Sequence, residues 1–144
     1  MAKMNPYLNF DGNAEEAFNF YRSVFGGEFL AVHRMSGAPG GEQLPEQERN
    51  RVMHISLPID EYTILMASDI IPSAGHTLNA GNNVQLSLHP SSREEADHLF
   101  NGLSAGGTVE MPLQDTFWGA YFGSFKDKYG IYWMVNYDHT QQGK

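Results

Sequence analysis

The chain has no cysteine. Disulfides, thiolate nucleophiles, thiolate zinc sites and iron–sulfur clusters are therefore excluded. It is also poor in charge, with 18% Asp, Glu, Lys and Arg against the roughly 25% usual for soluble domains. Basic residues are the scarcer sign: 9 Lys and Arg stand against 17 Asp and Glu, a formal charge of −8. That balance argues against nucleic acid, whose phosphates need clustered Lys and Arg, and against an anionic membrane surface. Long apolar runs are missing too. The densest stretches, 62–67 and 131–135, are strand-sized and too short to cross a bilayer. Met1-Ala2-Lys3-Met4-Asn5-Pro6 has no apolar leader core, so no secretory signal and a cytoplasmic location are expected.

The 144 residues are 41% hydrophobic and 12% aromatic, a composition that folds. That length suits one compact domain, or two small packed halves, burying roughly 68–70% of the unfolded surface. An internal repeat favours two halves. Leu8-Asn9-Phe10, Glu15-Glu16-Ala17 and Gly26-Gly27 return as Leu86-Ser87-Leu88, Glu94-Glu95-Ala96 and Gly106-Gly107, at offsets of 78, 79 and 80. Ala14, Ala17, Phe18, Tyr21 and Phe25 have helical spacing, and so do Ala96, Leu99, Phe100 and Leu103. Asn13 with Glu16, and Ser92 with Glu95, are spaced as capping boxes, and the glycine pairs end the helices.

Alternation predicts strands at 7–10, 28–35, 52–59 and 62–68, then at 84–89, 108–111, 119–125 and 131–137. Each half thus reads β-α-β-β-β, with module one at about 5–69, a linker at about 70–82 and module two at about 83–137. The segments 36–50, 70–82 and 111–118 read as loops, the first expected to be mobile. Asp127-Lys128-Tyr129-Gly130 reads as a tight turn.

Strand parity separates two faces. Leu8, Phe10, Met53, Ile55, Leu57, Ile59, Val84, Leu86, Leu88, Ile131, Trp133 and Val135 are the expected core under the helices. The opposite face carries Asn5, Tyr7, Asn9, His54, Ser56, Met66, Ser68, Asn83, Gln85, Ser87, Tyr132, Met134 and Asn136. This amide- and hydroxyl-rich set suits the lining of a ligand cavity better than a core or a charged surface.

Several motifs resemble one family. They are Pro6-Tyr7-Leu8-Asn9-Phe10, Gly12-Asn13-Ala14-Glu15-Glu16-Ala17 and Phe20-Tyr21. They continue with Ile64-Leu65-Met66-Ala67-Ser68-Asp69, Phe117-Trp118-Gly119-Ala120-Tyr121-Phe122-Gly123, Asp127-Lys128-Tyr129-Gly130 and Trp133-Met134-Val135-Asn136. Over nearly its whole length the chain resembles the PhnB-like branch of the vicinal oxygen chelate (glyoxalase/bleomycin-resistance) superfamily. The resemblance implies an α+β fold of two βαβββ modules, with mixed sheets curled around a cavity and helices outside. Fold alone does not assign function, because this superfamily includes isomerases, dioxygenases, thiol transferases and drug-binding proteins.

The superfamily's metal enzymes place His or Glu at four inward strand positions. Here these fall near Asn5, Met66, Asn83 and Met134. Carboxamides and thioethers are poor ligands for hard or borderline divalent ions, so no metal and no cofactor are expected. The name methyltransferase, common for such sequences, is not expected to describe the activity, because no glycine-rich dinucleotide turn follows the first strand.

His54 is the one imidazole expected on the inner face. It reads either as a general base or ligand hydrogen-bonding group, or as a half-buried structural histidine. Asp69 either orients a ligand or histidine, or caps the turn before Pro72. His33, His76, His89, His98 and His139 are scattered and form no metal-binding spacing. In the Phe117, Trp118, Tyr121 and Phe122 cluster, Trp118 suits a stacking wall or a subunit contact, with core packing as the alternative for the others.

The resulting expectation is a small-molecule-binding protein and homodimer, with neither nucleic-acid nor membrane partners. Tyr7, Asn9, His54, Met66 and Gln85 are its candidate ligand-binding residues, joined by Trp118, Tyr121 and Met134. His54 is the catalytic candidate. One alternative is a metal-dependent lyase or dioxygenase using His54 with Asp69 or Glu61. Another is a homodimeric structural or regulatory protein without catalysis.

Overall fold

The computed structural model describes residues 1–139. The chain divides into two compact units, Met1–Asn79 and Ala80–Lys144. The first contains β1 (Tyr7–Phe10), α1 (Ala14–Phe25), β2 (Ala31–Arg34), the single turn α2 (Glu46–Arg49), β3 (Val52–Pro58) and β4 (Ile64–Asp69). The second contains β5 (Leu86–Leu88), α3 (Arg93–Ser104), β6 (Thr108–Asp115), β7 (Ala120–Lys126) and β8 (Tyr132–Asp138). The sheets are ordered β1-β4-β3-β2 and β5-β8-β7-β6. In each, the first strand runs parallel to the last and the other pairings are antiparallel. The expected β-α-β-β-β arrangement is present in both units.

One face of each sheet is covered by its long helix. From α1, Ala14, Ala17, Phe18 and Tyr21 are buried, as are Ile55, Leu57, Leu65 and Ala67 of the sheet. Phe18 meets Phe10 and Tyr21 edge-on, at 6.4 and 5.5 Å between ring centroids. In the second unit Ala96, Leu99, Phe100 and Leu103 are buried from α3, with Phe125, Trp133 and Val135 from the strands. Phe100 and Phe125 pack edge-on at 5.1 Å. Each large apolar side chain so buried contributes roughly 1.5–3 kcal/mol.

The helices start differently. Ser92 caps α3 by accepting the Glu95 N–H at 3.1 Å, while the Glu95 carboxylate accepts the Ser91 N–H at 2.8 Å. Asn13 makes no side-chain cap for α1, which corrects the expected capping box. A carboxylate from the far end of the module takes that place. Asp69 Oδ1 accepts the N–H groups of Gly12 and Ala14 at 2.9 and 3.0 Å, and Oδ2 accepts the Val52 N–H at 2.8 Å.

Other expectations shift for local reasons. A register change between His33 and Arg34 sets Arg34 opposite Val52. Val52 is therefore buried, whereas Met53, expected in the core, is 37% exposed. Val84 precedes β5 and is 70% exposed. The 36–50 segment is not a plain loop, since it contains 3-10 turns at Met35–Gly37 and Gly41–Gln43 as well as α2. Residues 111–115 of the expected 111–118 loop belong to β6, and one of its two register shifts, between Met111 and Gln114, spans Pro112. The Asp127–Gly130 turn is present, closed by the Gly130 N–H on the Asp127 carbonyl at 3.0 Å. The buried Asp127 carboxylate also accepts the Tyr129, Ile131 and Trp133 Nε1 hydrogens.

Candidate functional site

Those residues singled out by parity that fall within strands lie on the face of each sheet turned away from its helix. In the first unit Tyr7 lies opposite Met66 and Asn9 opposite Ser68. Met66 also pairs with Ser56, and His54 pairs with His33 on β2. The Tyr7 hydroxyl and His54 Nδ1 are 3.2 Å apart and hydrogen-bonded. The His33 and His54 rings stack, 6.5 Å between centroids. Ser68 donates to Asn9 Oδ1 at 3.5 Å. Among the described strand residues with this parity, none is Asp or Glu. The ring's tautomer sets which of the two groups donates, and in either case Nδ1 of the imidazole is committed to Tyr7.

Tyr7, Asn9, His54 and Met66 are thus brought together as candidates on one surface. Asp69 is not part of it. It points to the helix side, where three backbone N–H groups use its carboxylate. The His54–Asp69 pairing is therefore not formed, and Glu61 lies in the turn before β4. His33 was missed by the sequence reading, because only the β2–β3 register places it beside His54.

In the second unit Met134 lies opposite Ser87 on β5 and Ser124 on β7. Gln85 is exposed immediately before β5. The hydroxyl of Ser87 is hydrogen-bonded to His89 Nε2 at 3.0 Å. Phe122 faces Gln114 and Asn136 from its two neighbouring strands. Trp118 leans over Phe122 at 6.3 Å and meets Phe117 edge-on at 5.0 Å.

Tyr121 departs from the expectation. Its parity is that of Gly123 and Phe125, and its hydroxyl donates to Asp97 of α3 at 2.6 Å. Arg93 lies 4.0 Å above its ring and pairs with Asp115 through both guanidinium nitrogens. Tyr121 therefore belongs to the helix side of this sheet. The Asp97 hydrogen bond holds its phenol above the usual range, and Arg93 holds the Asp115 carboxyl below it.

A family model described as 3-demethylubiquinone-9 3-methyltransferase matches residues 2–136. The chain belongs to that family. Its PhnB-like character is also seen in a solved structure from Bacillus cereus, described as a putative 3-demethylubiquinone-9 3-methyltransferase, PhnB protein. That structure is 28% identical with a TM-score of 0.75, and the match covers 94% of this chain and 99% of that one. Protein PA1353 from Pseudomonas aeruginosa is 38% identical with a TM-score of 0.84, covering 96% and 98%. A glyoxalase/bleomycin resistance protein from Albidiferax ferrireducens has a TM-score of 0.63 at 15% identity, covering 92% and 95%. That last likeness concerns the fold alone. The PhnB-like chain therefore has the glyoxalase/bleomycin-resistance-like fold, with two four-stranded mixed sheets.

The superfamily's metal positions can be tested against this PhnB-like chain. Asn5 Oδ1 accepts the Ile64 N–H at 3.0 Å, so that carboxamide ties the entry of β1 to β4. Met66 and Met134 offer thioethers, and Asn83 is exposed ahead of β5. Among the described residues no three His, Asp or Glu side chains gather as a metal-holding group. These donors do not fit a hard divalent ion. The register also revises the repeat: with Met66 matched to Met134, Tyr7 corresponds to Ser87 and Asn5 to Gln85, two residues beyond the sequence-based pairing with Asn83.

Proposed function

We propose that this PhnB-like protein binds a small organic molecule on the helix-opposite faces of its sheets, through hydrogen bonds and stacking and without a bound metal. The hydrogen-bonded Tyr7–His54 pair carries the reading. It joins an imidazole and a phenol on a partly exposed surface, with Met66 opposite Tyr7 on the neighbouring strand. Neutral donors, acceptors and a polarisable thioether suit an uncharged or weakly polar ligand. His54, with His33 stacked beside it, is the proposed proton-exchanging group.

Methyl transfer, suggested by the family's description, is not part of the reading. The turn from β1 to α1 contains Gly12, but its N–H and that of Ala14 are taken by Asp69. The anion-cradling end of that helix is thus filled by the chain's own carboxylate. A cytoplasmic homodimer completes the proposal, and analytical ultracentrifugation tests the dimer.

The test of binding is a thermal-shift screen of small metabolites, run with and without EDTA. A ligand at a hundred times its Kd adds about 2.7 kcal/mol of stability. The expected hit stabilises the wild type equally in both conditions and loses its effect in His54→Ala. Stabilisation that needs a divalent ion and disappears with EDTA overturns the metal-free reading.

A further inference from the structure

Among the described residues, one fully buried side-chain oxygen or nitrogen has no hydrogen-bond partner: Asn136 Oδ1. Such an atom carries a desolvation cost until a donor reaches it. It sits on the helix-opposite face of the second sheet, where Phe122 is its direct neighbour on β7. Beyond Phe122 stands Trp118, 56% exposed, with Phe117 edge-on and 97% exposed. The exposed amide of Gln114 borders Phe122 on its other side. An exposed indole beside a half-buried phenyl ring offers a stacking platform. The orphaned acceptor lies one strand away from it.

We infer that the second unit carries a binding subsite for a planar ligand bearing an N–H or O–H donor, stacked on Trp118 and Phe122 and donating to Asn136 Oδ1, which the half-buried Asn136 side chain turns from its covered position to meet that donor. This rests on the small-molecule role proposed above and names a ligand class for it. The face separates two demands that a ligand must meet together. The aromatic pair rewards flatness, because a saturated ring presents no π face. Asn136 rewards a donor, because an acceptor-only ligand leaves its oxygen unpaired.

The experiment is an NMR titration of the full-length protein with three probes: benzamide, cyclohexanecarboxamide and methyl benzoate. Benzamide is flat and carries a donor, and each of the others lacks one of those properties. Benzamide is expected to shift the Trp118 indole and Phe122 ring signals with a Kd of about millimolar order, and the other two bind several-fold more weakly. Trp118→Ala, at an exposed position, weakens benzamide about three- to tenfold. Asn136→Leu removes the preference for benzamide over methyl benzoate. The wild-type comparison needs no variant, so misfolding of Asn136→Leu does not cloud it.

Equal binding of benzamide and cyclohexanecarboxamide overturns the stacking, and equal or tighter binding of methyl benzoate overturns the donor requirement. Shifts confined to Tyr7 and His54 overturn this subsite while leaving the proposed function standing. Trp118 shifts that follow protein concentration rather than probe identify a contact between copies and also overturn it.

Discussion

The hydroxyl of Tyr121 donates to the Asp97 carboxylate at 2.6 Å, and this bond ties the middle of the aromatic segment to α3 rather than to the opposite face. Phe122, the next residue, points the other way, so adjacent aromatics serve different sides of one sheet. Arg93 completes the arrangement by covering the Tyr121 ring and pairing with Asp115.

Tyr121 is expected to ionise late. Its hydrogen bond to Asp97 raises the phenol, and burial adds to the effect. A phenol raised in the folded state contributes stability below the ordinary phenol range, and loses it as pH rises through the shifted value. Tyr62, raised by its hydrogen bond with Glu61, also titrates late. The measurement is therefore a difference in phenolate absorbance between wild type and Tyr121→Phe across an alkaline titration. Asp97→Asn is expected to return the missing component toward the ordinary range.

At the acid end, Asp115 is the sensitive partner. The Arg93 hydrogen bond holds its carboxyl down, so its contribution is present above the ordinary carboxyl range and disappears as pH falls through the depressed value. Carboxyl carbon shifts followed by NMR are expected to show Asp115 protonating late in the descent. Arg93→Ala moves that midpoint upward. An unchanged midpoint means the ion pair is not formed in solution.

Asp69 is expected to matter for stability far more than Asn13. Asp69→Ala leaves the N–H groups of Gly12, Ala14 and Val52 without their acceptor and costs about 3 kcal/mol or more. Asn13, whose side chain does not cap the helix, costs less than about 0.5 kcal/mol on replacement by Ala. Urea unfolding of both variants checks the contrast.

Gly123 is expected to resist substitution. A Cβ there meets Phe100 Cε2 at 2.6 Å and the Leu113 backbone at 2.9 Å. Gly123→Ala must push α3 or β6 away from the sheet, at about 1–3 kcal/mol. Gly37 has nothing within 4 Å of the same position, and its replacement by Ala stays within about 0.5 kcal/mol. Thermal unfolding of the pair separates them.

Much of this was legible because strand parity and helix spacing are local. Ile55, Leu57, Trp133 and Val135 fall where alternation puts them, and Ser92 caps α3 as its spacing suggests. What parity could not supply was register. Met53 comes out of the core because a bulge skips it. His33 meets His54 only through the cross-strand pairing of β2 and β3. Tyr121 lies on the helix side because strand alternation, not the clustering of aromatics along the chain, sets the direction of each ring. Asp69 illustrates a further limit: its partners begin 17 residues away at Val52 and reach 57 residues away at Gly12, beyond any local motif.

The two helix starts also imply two folding histories within one repeated topology. The cap of α3 lies within a few residues of its first turn, so that helix can close its N-terminus as soon as it nucleates. The first turn of α1 waits for β4 to arrive beside β1, because its cap travels on that strand. Closing that long loop must precede the gain, so the Asp69 cap adds its stabilisation to α1 only once β4 is in place, whereas the Ser92 cap is available to α3 from within its own segment.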